Sequence, residues 1–231
     1  MTGIRAPFFE IGPKNLLRRA DLEQLARVAG QAGQDHGVTV VLTVPTAMIA
    51  PIRDLDTGVL VFAQTMDAET LGATLGRITA ESLVDAGAAG VMLNHDSNPM
   101  AGDRLAVAMQ RARCTGLETI VCADTTADAL GLAELDPTAI LLEPPALIGR
   151  VGGPGERDWI VPANRALRGR QPQVLVMHAG GVSSASVARS IMSLGADGTG
   201  STSGVLAADD PHDAVRTFIA ATRAGWEAVP H

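Results

Sequence analysis

Short, mostly apolar runs recur along this chain, separated by longer segments whose apolar residues return every three or four positions. A run that is apolar at nearly every position suits a strand covered on both faces, which is the setting of a parallel sheet clothed in helices. The runs are Phe8–Ile11, Val38–Val44, Val59–Ala63, Gly90–Leu93, Glu118–Cys122, Ala139–Leu142 and Val174–Met177. Between them, Leu22, Leu25, Ala26 and Ala29, and again Val187, Ile191 and Leu194, fall on one helical stripe. Further helices are expected over Thr79–Ala86, Asp103–Arg113, Thr125–Glu134 and Asp210–Ala221. Gly87, Gly116 and Gly195 stand where helices should stop, each just ahead of a strand. Asp21 and Asp210 read as helix caps, the second with Pro211 in the first turn.

Seven βα units, with an eighth over Asp197–Ala221, divide 231 residues into pieces of about 29, the size of one unit of a (β/α)8 barrel. The expectation is an α/β protein, a single TIM-barrel domain over residues 1–231. A doubly wound open sheet is the rival, but it would usually carry GxGxxG after the first strand, where Ile11-Gly12-Pro13-Lys14 stands instead. The eighth strand reads Asp-Gly-Thr-Gly-Ser-Thr-Ser-Gly from Asp197, a sequence expected to give up packing in order to present backbone amides.

Charge narrows the partners. Lys and Arg number 18 against 25 Asp and Glu, a formal net charge of −7, so the cationic surface that nucleic-acid binding needs is not expected. No apolar run approaches the roughly 18 residues of a membrane helix. The first residues lack the pattern of a signal peptide, and a cytoplasmic location is expected. Cys114 and Cys122 have no metal-ligand spacing, and Cys122 reads as a buried thiol. His36, His178, His212 and His231 are scattered, so neither metal nor cofactor is expected.

Chemistry in such a barrel belongs at the C-terminal ends of the strands. Those ends carry Lys14 after strand 1, Asn94-His95 after strand 4 and Glu143 after strand 6. Gly180-Gly181 follow strand 7, and Thr202-Ser203-Gly204 follow strand 8. Each residue alone has a plain alternative: a solvated lysine, a packed histidine, a strand-ending carboxylate, a tight turn. Together, a cation, an imidazole, a carboxylate and two amide-rich turns at one mouth are the equipment for moving a proton beside a carbonyl of an anionic, phosphorylated substrate.

The arrangement resembles triosephosphate isomerase, particularly its shorter archaeal form and bacterial relatives. The resemblance runs from Pro7 to about Pro211 and is most specific at Phe62-Ala63-Gln64, at Gly90-Val91-Met92-Leu93-Asn94-His95 and at Glu143-Pro144-Pro145-Ala146-Leu147-Ile148-Gly149. It implies that Glu143 shuttles a proton between adjacent carbons, that His95 polarises the carbonyl, and that Lys14 stabilises the enediolate and the phosphate. This division of labour is the family's known mechanism, carried over rather than deduced from spacing. Gly149 would open a closing lid over Ala146–Gly155, and Gly180, Gly181, Thr202 and Ser203 would complete the phosphate site, with Gly12 beside the substrate. The implied ligand is a phosphorylated sugar. The loop Gln64–Gly76 matches the segment that plugs into a neighbouring subunit in the family, implying a homodimer or homotetramer.

The pattern also breaks. Where the family has Asn-x-Lys, this chain has Gly12-Pro13-Lys14. Where the family has Ser-Glu after the histidine, Asp96-Ser97 stand, removing the glutamate that pairs with the lysine and leaving Asp96 as its candidate replacement. A threonine at the tip of the exchanged loop is Leu75, and a new histidine, His178, either enters the pocket or packs as a neutral ring. The expected function is a sugar-phosphate aldose–ketose isomerase working through an enediolate on a triose phosphate or, in a roomier site, a tetrulose phosphate. The alternative is a non-catalytic or differently catalytic phosphate-binding barrel on the same scaffold.

Overall fold

The computed structural model describes residues 3–147 and 157–229. Eight parallel strands close into a barrel in chain order. They are β1 (Phe8–Ile11), β2 (Thr39–Val44), β3 (Leu60–Ala63), β4 (Gly90–Leu93), β5 (Glu118–Ala123), β6 (Ala139–Leu142), β7 (Leu175–His178) and β8 (Gly198–Gly200). Strand β8 pairs back onto β1, with Phe8 beside Gly198 and Glu10 beside Gly200. Seven of the eight strands lie within one residue of the ends expected from sequence, because runs buried on both faces have sharp polar borders.

Nine helices accompany them among the described residues. They are α1 (Arg19–His36), α2 (Ile49–Arg53), α3 (Ala80–Asp85), α4 (Gly102–Thr115), α5 (Thr126–Ala133), α6 (Ile160–Arg170), α7 (Ala185–Ser193), α8 (Ser203–Leu206) and α9 (Pro211–Trp226). Asp210 caps α9 as expected, its Oδ1 accepting from the N–H groups of His212 and Asp213 at 3.0 Å. Asp21 does not cap α1. That helix begins two residues earlier, at Arg19, with an ion pair from Arg19 to Glu23 at 2.6 Å, and Asp21 lies in its first turn, where a negative charge favours the helix dipole. Helix α6 lies in a stretch where no helix was named from the sequence; its Pro162 falls in the first turn, where proline costs the helix no hydrogen bond.

Two apolar layers hold the barrel. The outer layer joins the sheet to its helices through Leu22, Leu25, Val61, Leu83 and Ile219, among others. The inner layer fills the barrel with Phe8, Phe62, Met92, Ile120, Leu141 and Met177. Burying each of these large side chains stabilises the fold by about 1.5–3 kcal/mol. Here β8 departs from the sequence reading. A Cβ on Gly198 would lie 2.4 Å from the Phe8 ring, and one on Gly200 would lie 2.6 Å from the Met177 methyl. The two glycines therefore make room for large neighbours inside the barrel.

Outside the barrel, the loop Gln64–Gly76 is braced by an Arg104–Glu69 ion pair at 3.0 Å and by the Asp67 N–H donating to the Ile78 carbonyl at 2.8 Å. Arg111 and Arg113 of α4 likewise meet Glu81 and Asp136. The tip of the loop carries Leu75, 98% exposed. No helix among the described residues is long and apolar enough to cross a membrane.

Candidate active site

Strand β4 ends at Leu93, and Asn94 turns the chain with a φ of 58°, a left-handed backbone that asparagine adopts more readily than most residues. Its side chain fixes the turn. Nδ2 donates to the Cys122 carbonyl at 3.0 Å, and Oδ1 accepts from the Met100 N–H at 3.1 Å. His95 follows at once, and its Nδ1 accepts from the Ser97 N–H at 3.1 Å, with Ser97 Oγ 2.9 Å away. A backbone N–H only donates, so Nδ1 holds the lone pair and the ring proton sits on Nε2. Burial and then the Lys14 cation lower the His95 pKa, against a weaker opposing pull from Asp96. The ring is a neutral hydrogen-bond donor at neutral pH.

Glu143 leaves β6 with its N–H on the Ala123 carbonyl at 3.0 Å. Burial raises its pKa; Lys14 pulls it down, while Asp96 and Asp124 push it further up. No described residue donates to its carboxylate, so both oxygens remain available as a base. Lys14 is exposed and has a φ of 50°, a conformation that costs a non-glycine residue energy and is held by its surroundings. Gln64 supplies the hold, its Nε2 donating to the Lys14 carbonyl at 2.7 Å and to the Thr43 carbonyl at 3.4 Å. The expected replacement of a lysine-pairing glutamate by Asp96 is not seen: Lys14 has no ion pair with a described residue.

Gly180 and Gly181 turn the chain after β7 with φ values of 86° and 64°. Arg157, buried, donates to both of their carbonyls, at 3.0 and 3.4 Å. After β8, Thr202 Oγ1 donates to the Gly12 carbonyl at 2.7 Å, tying the last strand to the first. One cavity of about 860 Å³ is lined by Lys14, His95 and Glu143 and by Gly12, Gly180, Gly181, Thr202 and Ser203. All the expected site residues meet there except Gly149, which lies outside the described residues, as does most of the expected lid.

Two residues change the sequence reading. His178 is not in the cavity. It is buried between β7 and α6, its Nε2 hydrogen-bonded to Asn164 Oδ1 at 2.6 Å and its ring edge-on to Trp159 at 5.0 Å. Burial lowers its pKa to about 3, so it packs as a neutral ring. Glu10, by contrast, lines the cavity and was not singled out. Its Oε1 accepts from Thr43 Oγ1 at 2.6 Å, and burial lifts its pKa to about 7. The one sequence signal for it was a carboxylate at the second position before Gly12, inside a run otherwise apolar. Arg157 had no sequence signal. Cys122 is a buried thiol whose pKa burial raises well above the ordinary value.

The family model described as triosephosphate isomerase matches residues 14–221. A triosephosphate isomerase of Sulfurisphaera tokodaii is 35% identical over 198 residues, covering 85% of this chain and 86% of the relative. Those of Sulfolobus acidocaldarius and Methanopyrus kandleri are 33% and 34% identical, each over 85% of this chain and over 85% and 88% of their own. Among solved structures, triosephosphate isomerase from Bartonella henselae superposes with a TM-score of 0.72 at 18% identity, covering 95% of this chain and all of that one.

Proposed function

This chain belongs to the triosephosphate isomerase family, and from that premise we propose that it interconverts an aldose phosphate and a ketose phosphate through an enediolate. The observation that supports the reading is that Glu143 and a neutral His95, its proton on Nε2, line one cavity. Glu143 takes a proton from the carbon beside the carbonyl and returns it to the neighbouring carbon. Two adjacent carbons exchange their oxidation states, and nothing leaves. His95 donates through Nε2 to the carbonyl oxygen as negative charge develops there, and a neutral donor matches an enediol oxygen better than an imidazolium would. Lys14 places a cation beside the same oxygens and the phosphate. The amide-rich turns at Gly180-Gly181 and Thr202-Ser203 receive the phosphate.

The substrate is a triose phosphate or a tetrulose phosphate; Gly12 stands where the family has its asparagine, and the Glu10 carboxyl takes up the space beside it, its Oε1 3.0 Å from where a Cβ would be. The assembly is a homodimer or homotetramer, with Leu75 docked into a neighbouring subunit. The exposure of Leu75 and the ion-paired bracing of its loop support that reading.

The test is proton NMR in D₂O with dihydroxyacetone phosphate and the erythrulose phosphates, run for wild type and Glu143→Gln. Deuterium is expected in product with wild type only, with at least a ~10²-fold loss in the variant. Exchange retained in Glu143→Gln, or none with wild type, overturns the proposal in favour of a barrel that uses or binds the phosphate differently.

A further inference from the structure

The mechanism above employs Glu143, His95 and Lys14 and leaves Glu10 without a task. Yet Glu10 is only 6% exposed and points into the same cavity, on a mid-strand position beside Val41 of β2 and Gly200 of β8. Its Oε1 is occupied by the Thr43 hydroxyl at 2.6 Å. Its Oε2 takes no hydrogen bond from a described residue.

Glycines clear the space around it. A Cβ on Gly12 would stand 3.0 Å from Oε1, and a Cβ on Gly200 would stand 3.0 Å from Oε2. The carboxyl thus occupies volume that a side chain at position 12 would need, so Gly12 and Glu10 form a matched pair. Glu10 Oε2 is not among the fully buried atoms lacking a partner, so this oxygen opens to the cavity and is free to bond what enters it. The family model matches from Lys14 onward, beyond both Glu10 and Gly12.

We infer that Glu10 is a specificity-determining residue whose Oε2 bonds a substrate hydroxyl other than the two oxygens on the reacting carbons. The inference rests on the isomerase reading, since that reading says which oxygens react. A carboxyl can donate to or accept from a neutral hydroxyl according to its protonation, but as a carboxylate it repels both a phosphate and an enediolate. The phosphate therefore belongs at the turns after β7 and β8, and the Glu10 carboxyl is left for an uncharged group. Apart from its phosphate, dihydroxyacetone phosphate carries only the two reacting oxygens. A spare hydroxyl requires a fourth carbon. The substrate class is a ketose phosphate of four or more carbons and its aldose partner.

Binding separates this inference from the isomerase reading. Dihydroxyacetone phosphate, erythrulose 1-phosphate and erythrulose 4-phosphate are titrated calorimetrically into Glu143→Gln, where turnover is expected to be at least ~10²-fold slower, with Glu10 intact, as Glu10→Gln or as Glu10→Leu. With Glu10 intact, one erythrulose phosphate is expected to bind at least ~10-fold tighter than the triose phosphate, since a site that bonds a substrate hydroxyl rejects an analogue lacking it. Glu10→Leu is expected to erase that preference, and Glu10→Gln, whose amide still bonds a hydroxyl, to keep part of it. Thermal melts at pH 8 confirm that both variants are folded, since removing an unmatched buried acid leaves the melting temperature at or above its starting value. Equal binding of three- and four-carbon phosphates, or a preference that survives Glu10→Leu, overturns the inference. Absence of deuterium exchange in the wild type, with the binding preference present and erased by Glu10→Leu, sinks the isomerase reading and leaves the Glu10–hydroxyl contact standing.

Discussion

The Ser97 N–H donates to Nδ1 of His95 at 3.1 Å, which assigns the imidazole proton to Nε2. The orienting donor is a backbone N–H, so replacing the family's glutamate with Ser97 leaves it in place. Because the His95 pKa is already lowered, protonation of His95 does not produce an acid limb near its ordinary pKa of 6.5. The limb belongs to Glu143, whose pKa burial raises from 4.5. The acid limb of kcat/KM should lie above pH 4.5, survive in Ser97→Ala and shift in Glu143→Asp. His95→Gln should lower kcat by ~10²-fold or more, read by the same exchange assay. An acid limb that shifts in Ser97→Ala but not in Glu143→Asp would reassign the titrating group to the imidazole.

Gly198→Ala should destabilise the protein by about 1–3 kcal/mol, because its Cβ would sit 2.4 Å from the Phe8 ring in the packed barrel interior. Combining it with Phe8→Leu should recover part of the loss, since the smaller side chain frees the space. Gly102→Ala, at the start of α4 with no atom within 4 Å of its Cβ, should be neutral or slightly stabilising. Urea unfolding of the four proteins measures all three effects. A Gly198→Ala protein as stable as wild type would mean that β8 is not packed as described.

The strands were legible because burial on both faces leaves continuous apolar runs with polar ends. Gly87, Gly116 and Gly195 were legible as helix stops, and all three have positive φ. Lys14, His95 and Glu143 were found because strand ends are where barrel chemistry is sought. Glu10 escaped for the same reason: it sits in mid-strand, where an inward position is normally apolar. The glycines of β8 were read as amides for a ligand, since no local pattern reveals that Phe8 and Met177 on the neighbouring strands need their space. His178 was undecidable, because alternation along β7 does not say which face its ring takes until α6 brings Asn164 against it.

Leu75→Asp should shift the assembly toward monomer at micromolar concentration, measured by sedimentation velocity. A side chain 98% exposed at the tip of a braced loop gains nothing within its own subunit, whereas a charge docked in an apolar partner site would be costly. Sedimentation of wild type as a monomer, or of Leu75→Asp unchanged, would remove the role proposed for this loop.

Glu10 and His178 should give the stability curve two opposing slopes. Folding raises the Glu10 pKa from 4.5 to about 7, so between those values the unfolded chain has already released a proton that the folded chain keeps. Stability from this group is full below pH 4.5 and falls as pH rises, by about 3 kcal/mol in all. Folding lowers the His178 pKa from 6.5 to about 3, so below 6.5 the unfolded chain binds a proton that the folded chain refuses. Its contribution is full above pH 6.5 and falls as pH drops, by roughly 3 kcal/mol between pH 6.5 and 4.5. Each slope is isolated by subtracting the wild-type curve from that of a variant, measured by urea unfolding at half-unit steps. The stability of Glu10→Gln relative to wild type should climb with pH from 4.5 to 7. That of His178→Gln, which keeps an amide donor for Asn164, should decline with pH from 4.5 to 6.5. Difference curves that are flat over these windows would show that neither group is held away from its unfolded pKa, and a Glu10 curve of the opposite sign would show a carboxylate stabilised in the barrel by a cation.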